Sequence, residues 1–132
     1  IRTIEVSNAA SDVGTIPEVR QKLVELQRKI AEKDSLVIDG RDIGTYVIPN
    51  ASLKIFLTAT PEERARRRWM ELKEKETESN YNNILQEIIL RDANDSNRSF
   101  APLRKAEDAV LIDTTDKNID QVIQEIEDLL NN

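Results

Sequence analysis

The chain contains no cysteine and no histidine. Their absence excludes disulfide scaffolds, zinc fingers, thiolate nucleophiles, histidine-based triads and the usual transition-metal sites. It leaves the redox compartment undecided, although a cysteine-free acidic chain suits a cytoplasm, the expected location. Glycine occurs only three times and aromatic residues make up 4% of the chain, so no interleaved basic and aromatic pattern is present for stacking on nucleic acid. The net charge of −6 likewise argues against a general nucleic-acid or anionic-membrane binder. No apolar run approaches a membrane span and no signal-peptide pattern opens the sequence. It begins with Ile1 rather than Met, and the natural start is expected to lie elsewhere. What is plentiful is charge, at 33% of residues. Any chemistry must therefore be run by carboxylates, guanidinium groups and backbone. A length of 132 residues suits one domain.

Periodicity alternates between helix and strand. Ile4, Val6, Ala9, Ala10 and Val13 keep helical spacing up to Gly14. Pro17 suits a first helical turn, and Val19, Leu23, Leu26 and Ile30 form an amphipathic stripe behind it. Ser35 to Asp39 (SLVID) is a short apolar run ending in an acid, which predicts a buried parallel strand. Leu53 to Leu57 and Ala109 to Asp113 predict two more. Thr60-Pro61-Glu62-Glu63 is a capping box with proline at the first helical position. Lys73 to Asn80 lacks apolar residues and is expected to be a mobile loop or a frayed helix end. Asn80 and Asn118 (the latter with Gln121) are the expected caps of two further helices. Strands alternating with helices indicate an α/β fold with a parallel sheet.

Two places break the local pattern. On the helix after Asn80, seven-residue steps from Ile84 and Ile88 reach Arg91 and Asp95, and Arg98 lies seven beyond Arg91. A buried stripe thus becomes charged without changing face. Either the helix leaves the core there and its charges are solvated or paired, or the face is a cleft wall aimed at a polar, anionic ligand. The second place is Asp39-Gly40-Arg41-Asp42-Ile43-Gly44-Thr45, at the C-terminal end of a predicted parallel strand, where open α/β sheets place ligands. An ordinary polar turn is the competing reading. Arg64, Arg67 and Arg68 share one helix face, with Arg66 elsewhere, and suit either a phosphate-closing lid or a solvated surface balanced by nearby glutamates. No glycine is followed by lysine, so no phosphate-cradling P-loop lies in this sequence.

Strand-ending DGRDIGT, the TPEERARRR helix and RDANDSNRSFAPL, in that order and spacing, resemble bacterial cytidylate kinase, a nucleoside monophosphate kinase family. IRTIEVSNAAS, PEVR and the closing DTTDKNIDQVI also look like that family. The resemblance covers the chain from end to end but only the later, larger part of a typical member. The family's first strand, its P-loop and the following helix would precede Ile1. It implies a P-loop kinase-like parallel sheet with flanking helices, here incomplete, in a single partial domain. Residues 1–33 would be the end of the monophosphate-binding region and its following helix, 34–60 core strands, 61–80 helix and lid, and 81–132 core helices and last strand. It implies transfer of the ATP γ-phosphoryl group to CMP or dCMP, with Mg²⁺ whose ligands are not assigned to this chain. Carried over by motif, Ser11, Arg20 and Asp42 would recognise cytosine, and Arg41 would reach the monophosphate. Arg91, Asp95 and Arg98 would bind sugar and phosphates, with Arg41, Arg91 and Arg98 as the catalytic group. Arg64, Arg67 and Arg68 would belong to the lid over ATP. No nucleic-acid polymer or membrane partner is implied, and the complete protein is expected to be monomeric.

The missing strand would lie between the counterparts of SLVID and LKIFL, which leaves buried backbone groups unpaired, so this span alone is expected to be neither stable nor active. Two alternatives are a non-catalytic nucleotide-binding fragment and a haloacid-dehalogenase-like phosphatase. The latter needs a second Asp two residues after Asp39, where this sequence has Arg41.

Overall fold

The computed structural model describes residues 4–14, 16–75 and 78–131. Helix α1 (Ile4–Val13) is followed by α2 (Pro17–Ala31), which opens on proline at its first position. Glu18 in the first turn of α2 and Arg28 and Lys29 in its last complement the helix dipole. A single π-type turn (Ile43–Val47) precedes strand β1 (Ile55–Thr58). Helices α3 (Pro61–Glu74) and α4 (Tyr81–Asn97), strand β2 (Val110–Asp113) and helix α5 (Ile119–Leu130) complete the order. Strands β1 and β2 pair in parallel, Ile55 opposite Val110 and Thr58 opposite Asp113. The result is an α/β arrangement, a small parallel sheet with flanking helices, as expected of an incomplete kinase-like sheet.

The helix starts form for the expected reasons. The Asn80 side chain accepts from the backbone N–H groups of Asn82 and Asn83, and Asn118 forms a reciprocal capping box with Gln121. At α3 the box is half made. Thr60 accepts from the Glu63 N–H at 3.2 Å. The Glu63 carboxylate, however, turns away to Arg66 and Arg67, and the Thr60 N–H donates instead to Thr115 Oγ1 at 3.1 Å. That exchange fastens the start of α3 to the loop after β2. The charged stretch after Met70 continues as helix to Glu74, so its first part is a helix end; residues 76 and 77 lie outside the described residues.

Two expectations need correction. Ser35 to Asp39 does not form a strand, and Val37 is wholly exposed. A strand exists only with a ladder partner, and among the described residues none lies beside this run. The α2 stripe is also not a core face. Leu23, Leu26 and Ile30 are exposed, and the buried residue is Val24. Helix α2 is held instead by Arg28, which donates to the carbonyls of Val47 (2.9 Å) and Tyr46 (2.7 Å) and lies over the Tyr46 ring. The core that does form is small: Val24, Val47, Ala59, Ala65, Ile84 and Ile112 are buried, with α3 packed on α4, β1 on β2 and the turn on α2.

Candidate functional site

The turn after Gly40 carries Asp42 into the molecule and leaves Arg41 at its surface. The backbone N–H groups of Tyr46 and Val47 both donate to the Asp42 carbonyl (2.8 and 3.1 Å), which fixes the turn around that residue. Gly40 suits a close approach, since a Cβ there would lie 2.8 Å from Ile43 Cγ1 and the Ile43 side chain would have to shift. Asp42 is consequently 3% exposed, an unusual depth for a carboxylate.

Arg20, from α2, meets Asp42 as an ion pair. Arg98 approaches from the other side, its Nη2 3.9 Å from Asp42 Oδ1. Arg98 does not continue α4 as the seven-residue step predicts; it caps the helix in extended conformation, its N–H on the Asn94 carbonyl. Its guanidinium is aimed by a second contact, Nε donating to the Ala101 carbonyl at 2.6 Å. Ala101 stands in the left-handed region with φ 46°, a conformation that costs a residue with a Cβ about 1–2 kcal/mol.

This arrangement is only partly satisfied. Arg20 Nε, Arg98 Nη2 and Asp42 Oδ2 are buried without a hydrogen-bond partner; the Arg20–Asp42 contact is an ion pair but not an aligned hydrogen bond. Buried polar atoms left so cost about 1–3 kcal/mol each. Two donors and one acceptor without aligned hydrogen bonds leave capacity that a small polar ligand offering acceptors beside a donor would use.

A second knot lies alongside. Arg41 Nε donates to Asp95 Oδ2 at 3.0 Å, and Arg91 Nε stands 4.0 Å from the same oxygen. Both guanidinium groups are about half exposed, at 45% and 55%, so they offer donors to an anion from solvent. Asp95 is further fixed by its backbone carbonyl, which accepts from the Leu103 N–H at 2.8 Å.

The α3 arginines face other partners. Arg64 donates to the Ala59 carbonyl and forks onto Asp92 of α4, Nη1 to Oδ1 at 2.9 Å and Nη2 to Oδ2 at 2.5 Å. That fork holds the Asp92 carboxyl below its ordinary range and raises Arg64 above its own. Arg67 bonds Glu63 and both the hydroxyl and the carbonyl of Thr114. Arg68 makes one bond, to exposed Glu71.

Of the residues singled out from sequence, Arg20, Arg41, Asp42, Arg91, Asp95 and Arg98 are thus brought together. Arg64, Arg67 and Arg68 share α3 but not one target. The Ser11 side chain lies outside the described residues. Asp92 went unread, although it continues the stripe of Leu85 and Ile88 by steps of seven and four, the same signal that flagged Asp95. Arg28 went unread because its partners are backbone carbonyls. A cavity of about 480 Å³ beside Thr60, Glu62, Arg66, Trp69, Tyr81 and Asp116 touches none of the candidate residues.

Comparison with known proteins agrees with the motifs. The family model for cytidylate kinase matches residues 1–132. The cytidylate kinase of Caldicellulosiruptor bescii is 55% identical over 129 residues, 98% of this chain and 57% of the relative. That of Clostridioides difficile is 55% identical over 131 residues, 99% of this chain and 61% of the relative. That of Clostridium perfringens is 57% identical over 121 residues, 92% and 56%. The chain therefore spans less than two thirds of the length of these relatives. With one family model covering it throughout and motif order, parallel sheet and relatives in agreement, the chain belongs to the cytidylate kinase family.

Proposed function

We propose that this chain supplies the acceptor-binding part of a kinase that moves the γ-phosphoryl group of ATP to CMP or dCMP. The observation that carries the reading is buried Asp42 set between Arg20 and Arg98, with three buried polar atoms that make no hydrogen bond. Cytosine presents an exocyclic amine beside ring acceptors. Asp42 accepts from the amine and Arg20 donates to the acceptors, with Ser11 adding a hydroxyl. Uracil offers a carbonyl where cytosine has the amine, and that carbonyl faces the carboxylate repulsively. Asp95 suits the ribose hydroxyls, and Arg41, Arg91 and Arg98 suit the phosphate. Arg68, with one exposed partner, is the α3 arginine freest to meet ATP, and Arg67 lies beside it on the helix that would close over the nucleotide.

In the transfer, the bond from Pγ to the bridging oxygen of ATP breaks and a bond from Pγ to an oxygen of the acceptor phosphate forms, leaving ADP and CDP or dCDP. Such a step depends on positioning and charge stabilisation rather than on a titrating base, so the absence of histidine and cysteine is compatible with it. Among the described residues no three acids converge to hold a cation, so no step here is routed through Mg²⁺. The sequence holds no ATP-phosphate cradle, and the kinase is complete only with a segment outside these 132 residues. Among the described residues no helix is long and apolar enough to cross a membrane; the cytoplasm and a monomeric complete enzyme are part of the same proposal.

Calorimetry on the complete kinase with CMP, UMP and AMP tests it. CMP should bind at least about tenfold tighter than UMP, and Asp42→Asn should erase most of that preference. Equal binding of CMP and UMP by the unaltered protein would refute the proposal.

A further inference from the structure

Arg64 lies on the helix that carries the arginine cluster, yet its guanidinium is occupied on three sides inside the protein. Nε is tied to the Ala59 carbonyl just past β1 at 3.1 Å, and the two terminal nitrogens are tied to Asp92. One side chain therefore links the end of β1, α3 and α4. Asp92 follows Arg91 directly and precedes Asp95 by three residues, so the anchor point on α4 belongs to the same stretch as the candidate acceptor ligands. Both partners are more than a third exposed, at 36% and 37%, and water screens such a pair enough that its net stabilisation is small. A bidentate fork still fixes relative orientation, because two parallel hydrogen bonds are lost together when either group rotates. The consequence of this pair is geometric more than energetic.

We propose that Asp92 is a positioning residue: through Arg64 it sets where α3, and with it Arg67 and Arg68, stands against the acceptor face of α4. This deepens the proposed function and rests on it. Three of the five N–H donors of Arg64 are committed within the protein, so its first role is this link and Arg68 is the better placed to meet ATP. Phosphoryl transfer is sensitive to such placement, since a shift on the order of 1 Å in a reacting pair lowers the rate by as much as a hundredfold.

The test uses the complete kinase with Asp92→Asn, Asp92→Glu, Arg64→Lys and the double variant Asp92→Asn with Arg64→Lys. Lysine keeps the charge but cannot form the fork. We expect kcat to fall about tenfold in Asp92→Asn and in Arg64→Lys while KM for CMP stays within about twofold. The double variant should be no slower than either single one, and Asp92→Glu should recover most of the rate. A raised KM with unchanged kcat would place Asp92 on the acceptor, and a lowered melting temperature with unchanged kcat would make the pair a brace only; each overturns the proposal, as do losses that multiply in the double variant. If the unaltered protein does not phosphorylate CMP, the proposed function fails and the link is read, in the 132-residue span, from Trp69, its one tryptophan, which sits on α3. Its emission should then shift alike in both single variants and no further in the double. Unshifted emission in both would overturn the link itself.

Discussion

Arg64, Arg66, Arg67 and Arg68 fall within five consecutive positions, yet each guanidinium has a different set of partners. What sorts them is the direction each takes from α3 and one carboxylate, Glu63. Glu63 is 8% exposed and accepts from both Arg66 and Arg67. Hydrogen bonding from Arg66, then Arg67, outweighs the opposing effect of burial and brings its carboxyl from 4.5 to about 2. A carboxylate depressed in the folded state contributes stability that is fully present above its ordinary value and is lost as pH falls toward its folded one. For Glu63 that window runs from 4.5 down to about 2. In the complete kinase, the melting-temperature advantage of the unaltered protein over Glu63→Gln should therefore hold near neutrality and narrow steadily below about pH 4.5. An advantage that stays constant down to about pH 3 would show that Glu63 does not act through its charge.

At the scale of elements, the helix boundaries follow from local chemistry and the packing partners do not. Asn118 illustrates the first half. Its side chain accepts from the Gln121 N–H at 2.9 Å while Gln121 Oε1 returns a bond from the Asn118 N–H at 2.9 Å. Replacement by alanine removes the cap and should cost about 1 kcal/mol, read as a lowered urea midpoint in the complete kinase, with Asn118→Ser recovering most of it. Caps of this kind are legible in sequence because donor, acceptor and spacing lie within four residues. The parallel strands at Ile55–Thr58 and Val110–Asp113 were legible as apolar runs of strand length. The run from Ser35 to Asp39 carries the same signal and forms no strand, because hydrogen-bond pairing is supplied by a neighbour and not by the run itself. The stripe from Leu23 to Ile30 is exposed for the same reason: period records which residues share a face, not whether anything covers it. The site shows a similar division. Arg41, Asp42, Arg91, Asp95 and Arg98 were legible from charges placed where apolar residues or a turn belong, whereas Arg64–Asp92, 28 residues apart, required the fold.

For the whole molecule, the surface left uncovered can be sized. The accessible surface is 10144 Å², whereas a compact monomer of this mass exposes about 7,100 Å². Large apolar residues contribute to the excess: Val37 is 102% exposed, Ile119 77%, Leu130 66%, Leu57 54% and Leu111 55%. Leu57 and Leu111 belong to the sheet itself, and Ile119, Ile123 and Leu130 lie on α5, which has no buried residue. Many large apolar residues exposed together on so small a span favour association or loosened packing. The 132-residue span expressed by itself should therefore bind a hydrophobic dye such as ANS strongly at neutral pH, keep its helical far-ultraviolet signal, and lose it gradually with urea. The complete kinase should show weak dye binding and a sharp transition. Nucleotide follows the same logic: a loosened span cannot hold Asp42 at its present depth between Arg20 and Arg98, so CMP affinity should fall along with cooperativity. Cooperative unfolding of the isolated span, with dye binding no greater than that of the complete kinase, would mean that these apolar faces are covered within the span, and the argument from exposed surface would fail.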